Sequence, residues 1–62
     1  MTHVEITRAL FLSIIDINEH FKFVEHGDGY RKTHYNVEGV NFLEVQNYVS
    51  STRQFYVQDI NA

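Results

Sequence analysis

A Gly-Asp-Gly turn at residues 27–29 is the feature that most constrains the fold of this chain. Glycine tolerates the positive φ angles that tight hairpin turns need, and aspartate is also common in such turns. Phe21 and Phe23 alternate with their neighbours before the turn, and residues 30–37 follow it as a polar-rich segment. The sequence therefore predicts an antiparallel hairpin whose second strand largely faces water or a partner.

The segment after Gly39 carries the signals of a helix. Asn41 is a favourable capping residue, and Glu44 follows it at the three-residue offset of a capping box. We therefore predict a helix over residues 42–51, in which Leu43 falls among the polar side chains. The apolar face of this helix is predicted to consist of Phe42, Val45 and Val49, with Tyr48 at its edge.

The first segment of the chain fits two structures. Thr2 and Glu5 have the spacing of a capping box, which favours a helix that ends at residues 16–18. The apolar side of that helix would hold Val4, Leu10, Phe11, Ile14 and Ile15. The alternative is a strand, because the β-branched and apolar residues also alternate along the segment. That alternation runs through Val4, Ile6, Leu10, Leu12 and Ile14.

The last segment completes the predicted fold. Residues 53–60 alternate Phe55 and Val57 with polar or aromatic neighbours, which is typical of a closing strand. We predict a single α+β domain over residues 1–62, with the order helix, β-hairpin, helix, strand. Both helices are expected on one face of a three-stranded antiparallel sheet.

The small size of the chain predicts a partner. A chain of 62 residues has a thin core, and without cysteine no disulfide compensates for it. The exposed edges of a three-stranded sheet could be covered by pairing with a second copy, so we expect a homodimer or a complex. No export or membrane-spanning pattern is visible, and we therefore expect a cytoplasmic protein.

The charge of the chain disfavours direct binding of nucleic acid. Five lysines and arginines stand against eight acidic residues, which gives a net charge of -3. Phosphate contacts need the opposite sign, whereas an acidic surface could itself occupy a basic cleft. The acidic residues that could form one stripe are Glu25, Asp28, Glu38, Glu44 and Asp59. The predicted partner-binding residues are Leu43, Glu44, Tyr48, Glu38 and Phe42, with Leu43 as the apolar anchor.

Other kinds of site have weak support in the sequence. The four histidines, at positions 3, 20, 26 and 34, match no standard metal-binding spacing, and no cofactor motif is present. So small a chain has little volume for a water-excluded catalytic pocket, so we expect no enzyme activity.

Two alternative functions remain open. Nine aromatic residues are many for this length, and some could stack on nucleic-acid bases if they faced outward. A single-stranded nucleic-acid binder would use Tyr30, Tyr35 and Phe23 beside Arg31 and Lys32. The other alternative is an inert subunit of a larger assembly.

The order of these elements resembles a known family. A hairpin that turns at Asp28-Gly29, a short helix with a Leu43-Glu44-Val45 run, and Tyr48 beyond it are similar to the uracil-DNA glycosylase inhibitors of small Bacillus phages. The resemblance spans about residues 20–60. It implies a DNA mimic that disables a host enzyme, with two copies associated through the sheet. It also implies that Leu43 is the anchor, Glu44 the neighbouring carboxylate and Tyr48 the later tyrosine.

Overall fold

A computed structural model describes residues 3–59 as one antiparallel sheet of five strands with two short helices. The elements are β1 (His3–Ile6), α1 (Arg8–Ile14), α2 (Ile17–His20), β2 (Phe21–Gly27), β3 (Tyr30–Val37), β4 (Val40–Asn47) and β5 (Thr52–Gln58). The order in the sheet is β1-β5-β4-β3-β2, so the first two strands of the chain form its two edges. The helices connect those edges.

The prediction of two helices on a three-stranded sheet is wrong. Two predicted strand units are nevertheless confirmed, since β2 and β3 pair around the turn at residues 27–29, and β5 closes the sheet beside β4. Gly29 has a φ of 82°, which explains why glycine is needed in that turn. The predicted end of the closing strand, Ile60, lies outside the described residues.

The predicted helix over residues 42–51 is replaced by strand β4 and the turn that follows it. Asn41 does not cap a helix, because its Nδ2 donates to Gln58 Oε1 at 2.8 Å on the neighbouring strand. Its Oδ1 accepts a hydrogen bond from Asn36 Nδ2, also at 2.8 Å. The strand is paired on both sides, so hydrogen bonding to β3 and β5 outweighs the local helix signals.

Glu38 and Gly39 form a two-residue hairpin turn between β3 and β4. Their φ angles are 50° and 84°, and Val37 pairs with Val40 across the turn. Two successive positive φ angles are the signature of a type I′ turn, whose twist matches that of the flanking strands. The chain therefore turns back at Glu38, where the sequence predicted only the end of a strand.

Replacing Glu38 with asparagine is expected to stabilise the chain by about 0.5–1 kcal/mol, because asparagine tolerates a positive φ better than glutamate. Urea unfolding followed by far-UV circular dichroism measures the change. Asp28→Asn is the matched control, since it also removes one negative charge but at a position without a positive φ. An equal gain in both variants would attribute the effect to charge instead of the turn.

The first segment contains both of the structures that the sequence allowed. Residues 3–6 are strand β1, and α1 begins after Thr7, whose Oγ1 accepts a hydrogen bond from Leu10 N at 3.1 Å. The expected capping residue Thr2 lies outside the described residues. Asp16, expected to end the helix, instead caps α2 by accepting hydrogen bonds from the backbone of Asn18 and Glu19.

The core lies between α1 and one face of the sheet. Phe11 of α1 is 1% exposed, and its ring centroid lies 4.7 Å from Phe55, 5.5 Å from Tyr35 and 6.3 Å from Phe42. Burial, and secondarily the nearby carboxylate of Glu44, raises the pKa of Tyr35, so its hydroxyl stays neutral. We call this side of the sheet the helix face. Between residues 3 and 59 no helix is long and apolar enough to cross a membrane.

Candidate binding surface

The side of the sheet opposite α1 is not covered by either helix, and we call it the open face. Strand side chains alternate between the two faces, so each strand contributes to both. The open face carries His3 and Glu5 of β1, Phe23 and Glu25 of β2, Tyr30, Lys32, His34 and Asn36 of β3, Asn41, Leu43, Val45 and Asn47 of β4, and Gln54, Tyr56 and Gln58 of β5.

A row of side chains crosses the centre of the open face on all five strands. Strand register places Glu5, Tyr56, Leu43, His34 and Phe23 in this row, in that order. Leu43 is on the central strand and is only 9% exposed, because neighbours on both sides enclose it. The centre of the open face is therefore apolar, with polar and aromatic groups around it.

A shallow groove runs over this centre. Its volume is about 320 Å³, and it is lined by His3, Lys32, Leu43, Val45 and Tyr56. The aliphatic side chains and the tyrosine ring supply apolar surface, whereas His3 and Lys32 supply nitrogen donors. Such a combination can hold an apolar group that carries a hydrogen-bond acceptor or a negative charge.

An aromatic stack lies on the β2 side of the open face. The rings of Phe23 and His34 are parallel to within 13°, with centroids 4.2 Å apart. His34 Nε2 is 2.5 Å from Glu25 Oε1, which fixes the orientation of the imidazole. Phe23 remains 53% exposed although it belongs to this stack. An ordered and exposed aromatic ring favours contact with a partner, because little side-chain freedom is lost on binding.

Tyr30 and Lys32 extend the surface toward the β2–β3 turn. The Tyr30 ring covers Gly27, since a Cβ atom built on that glycine would lie 2.0 Å from Tyr30 Cζ. Lys32 Nζ lies 5.3 Å from the centroid of the same ring, within the range of a cation–π interaction. The absence of a side chain at Gly27 is therefore what lets the tyrosine lie flat on the edge strand.

The predicted partner-binding residues do not form one surface. Leu43 lies on the open face but is largely buried, whereas Phe42 and Glu44 point to the helix face. Phe42 is part of the core, and Glu44 Oε2 is 3.8 Å from Arg53 Nη1. The remaining two are in turns at opposite ends of β4: Glu38 before the strand and Tyr48 after it.

The residues of the alternative aromatic platform are divided between the two faces. Tyr30, Phe23 and Lys32 lie together on the open face. Tyr35 belongs to the core, and Arg31 is on the helix face, where its Nη2 donates to Gln46 Oε1 at 2.8 Å.

Sequence reasoning missed Tyr56 and Val45 as residues of the groove. Apolar residues do not alternate along residues 40–47, and only once the segment is known to be a strand does its two-residue period place Leu43 and Val45 on one side.

The charged groups of the described residues are dispersed. Of the predicted acidic stripe, Glu25 is beside His34, Glu44 is beside Arg53, and Asp28 is in the β2–β3 turn. Over residues 3–59 no group of three potential metal ligands comes together.

Comparisons of this chain with protein-family models, with curated proteins and with solved structures find no significant match. A functional proposal therefore has to start from the composition and geometry of the open face.

Proposed function

We propose that this chain is a small non-catalytic protein that binds a protein partner through its open face. The observation that carries the proposal is the uncovered apolar groove over Leu43, Val45 and Tyr56. An apolar centre within a polar and aromatic rim is the usual composition of a protein–protein interface. Leu43 forms the floor of this groove, so the apolar side chain that inserts on binding belongs to the partner.

The charge of the open face favours a protein over a nucleic acid. Among the described residues that strand pairing places on this face, Lys32 is the only lysine or arginine, whereas Glu5 and Glu25 are acidic. Nucleic-acid surfaces normally carry several lysines or arginines that replace counterions along the phosphates. A protein segment with one carboxylate beside an apolar side chain matches the groove better, since Lys32 and His3 would contact the carboxylate.

The target class that we propose is a nucleic-acid-processing enzyme of a host cell, with this chain as its inhibitor in the cytoplasm. Support comes from the net charge of -3 and from the hairpin that turns at Asp28-Gly29. That hairpin is what remains of the similarity to phage inhibitors of uracil-DNA glycosylase, because the helix expected to carry Leu43 and Glu44 is strand β4. DNA mimicry depends on that similarity alone, because the predicted acidic stripe is not assembled. An inhibitor that binds beside the basic cleft of an enzyme through its open face does not require the acidic stripe.

Phe23→Ser is expected to weaken partner capture by at least about fivefold, because truncation of an aromatic anchor at an interface costs about 1 kcal/mol or more. Phe21→Ser is the matched control: Phe21 is on the same strand and is 48% exposed, but on the helix face. Both variants and the native chain are immobilised, and proteins captured from host lysate are quantified by mass spectrometry. Equal losses in the two variants, or no loss with Phe23→Ser, would contradict docking through the open face.

A direct assay tests the proposed target. Purified uracil-DNA glycosylase is titrated with the native chain, and uracil excision from a labelled oligonucleotide is measured. Inhibition that Phe23→Ser relieves and Phe21→Ser leaves intact supports the specific target. No inhibition at a large excess of the chain excludes this enzyme, while the capture experiment still tests other protein targets.

Binding of single-stranded nucleic acid is the second candidate function. The specific observation in its favour is that Phe23, Tyr30 and Lys32 lie on the same face, with the Phe23 ring exposed and Tyr30 half-buried. Fluorescence anisotropy of a labelled oligothymidine measured over a range of salt concentrations tests it. Affinity that falls with rising salt and with Phe23→Ser favours this function, whereas the proposed protein binder shows no such affinity.

A further inference from the structure

A row of four nitrogen-bearing side chains crosses the helix face beyond the aromatic core. Strand register places His26, Arg31, Gln46 and Arg53 side by side on β2, β3, β4 and β5, and we call them the arginine row. Arg31 and Gln46 are half-buried, whereas His26 and Arg53 are exposed. Residues paired directly across antiparallel strands point to the same face, so the two arginines lie on either side of one amide.

Arg31 has a donor without an acceptor. Its Nη2 donates to Gln46 Oε1 at 2.8 Å. Of the buried side-chain nitrogen and oxygen atoms in residues 3–59, Arg31 Nε is the one that has no hydrogen-bond partner. Nε and Nη2 lie on one edge of the guanidinium plane, and such an edge can bind two oxygens of a phosphate or carboxylate group together. Gln46 presents a single oxygen, so it satisfies only half of this edge.

Arg53 takes part in a loose ion pair. Its Nη1 lies 3.8 Å from Glu44 Oε2, which is longer than a charge-assisted hydrogen bond. The Arg53 side chain is 50% exposed, so solvent and solutes reach its guanidinium group. The single carboxylate of Glu44 stands against two guanidinium groups. The arginine row therefore keeps a positive charge, although the chain as a whole carries -3.

The hydroxyl of Tyr35 indicates that the two guanidinium groups act on one region. Burial, and then the carboxylate of Glu44, raises the pKa of Tyr35, while the charges of Arg31 and Arg53 both oppose that rise. Both guanidinium groups therefore lie within electrostatic range of the same hydroxyl. An anion placed between them would be attracted by both.

We propose that Arg31 and Arg53 together bind the phosphate group of a phosphate monoester. The phosphate oxygens take the place of Gln46 Oε1 on the Nε–Nη2 edge of Arg31, which gives Nε an acceptor, and they contact Arg53 from the solvent side. The site is on the opposite side of the sheet from the open face. It therefore goes beyond the proposed function and does not depend on it.

The number and charge of the donors favour a monoester over a nucleic acid. The arginine row can hold one phosphate group, whereas a nucleic-acid surface needs several cations along successive phosphates. A phosphate monoester carries about two negative charges near neutral pH, and a diester carries about one. Because two guanidinium groups outnumber the carboxylate of Glu44, the attraction to the site is larger for the monoester.

Titration of the isotope-labelled chain with phenyl phosphate, followed by NMR at constant ionic strength, tests the site. We expect saturable shifts with a dissociation constant of about 1 mM or below. The Arg31 Nε–H resonance should move most, since that group gains an acceptor. Dimethyl phosphate, a diester, is expected to bind at least about fivefold more weakly. A short peptide with one phosphoserine is titrated in parallel, and its affinity relative to phenyl phosphate distinguishes a phosphorylated protein from a small molecule as the source.

Arg53→Gln is the first variant, because it removes one guanidinium group at an exposed position. It is expected to weaken phenyl phosphate binding at least about tenfold. Arg31→Lys keeps the positive charge but loses the edge that binds two oxygens, so it should also bind more weakly. Lys32→Gln is the matched control: it removes the same charge next to Arg31, but on the open face, and is expected to bind like the native chain.

The dispersion of the NMR spectrum verifies that each variant is folded. Weaker binding in a folded Arg53→Gln, with native-like binding in Lys32→Gln, supports the site. Shifts that do not saturate, an equal effect of Lys32→Gln, or equal affinities for phenyl phosphate and dimethyl phosphate would overturn the proposal. Tighter binding of an oligothymidine than of phenyl phosphate at the arginine row would overturn it as well, in favour of a nucleic-acid surface.

Discussion

Replacing Phe11 with alanine is expected to remove a large part of the stability of this chain at 25 °C. Phe11 is the most deeply buried side chain of the described residues, and its ring packs against Tyr35, Phe42 and Phe55. Truncation of such a phenylalanine costs about 3–5 kcal/mol. A domain of this size has a total stability of roughly 3–9 kcal/mol, so the loss removes most of it. Urea unfolding followed by near-UV and far-UV circular dichroism measures the change.

Leu12→Ala is the control for this prediction. It lies next to Phe11 on α1 and also loses an apolar side chain, but it is 46% exposed. We expect its free energy of unfolding to fall by less than about 1 kcal/mol, because little apolar surface is buried there. Similar effects of Phe11→Ala and Leu12→Ala would mean that α1 does not pack on the sheet as the structure has it.

Replacing Leu43 with aspartate is expected to cost about 3 kcal/mol or more and so to lower the melting temperature markedly. Leu43 is 9% exposed on the central strand, with Tyr56 and His34 opposite it on the two neighbouring strands. A carboxylate at that point would lose hydration, and the apolar packing of the leucine would be lost as well. An exposed leucine on a helix would give the opposite result, since its replacement would leave the fold intact.

Two controls sharpen the Leu43 experiment. Val49→Asp introduces the same carboxylate in the β4–β5 turn, where valine is 86% exposed, and we expect little change in the melting temperature. Leu43→Met keeps the volume and apolar character of the side chain, so it should cost less than about 1.5 kcal/mol. A melting temperature that is unchanged in Leu43→Asp would be incompatible with the central strand β4.

The parts of the fold that local signals define were predicted correctly. The hairpin of β2 and β3 depends on a turn that contains glycine at a positive φ, and β5 depends on alternation over a few residues. Both signals involve residues that are close in sequence, so they can be recognised without knowing the tertiary structure. Thr7 and Asp16 also act locally, because each caps the helix that follows it, but the prediction missed both caps.

The helix predicted over residues 42–51 failed because β4 is a central strand. Its side chains are apolar toward both faces, since Phe42 contributes to the core and Leu43 and Val45 to the groove. A strand with two apolar faces does not show simple alternation and can be mistaken for a helix. In the predicted helix, Leu43 has no apolar neighbour on its own side. This mismatch indicates that the helical period of the side chains is the wrong one for this segment.

The sequence by itself determined the β2–β3 hairpin, the closing strand β5 and the apolar residues available for a core. Only the tertiary structure decided that β4 lies between β3 and β5, that Leu43 becomes the floor of a groove, and that Tyr56 and Lys32 meet beside it. Turns and caps are made by residues close in sequence, so their energies depend on the local sequence. The position of β4 depends on hydrogen bonds and side-chain packing with distant strands, and these outweigh the small local preference for a helix.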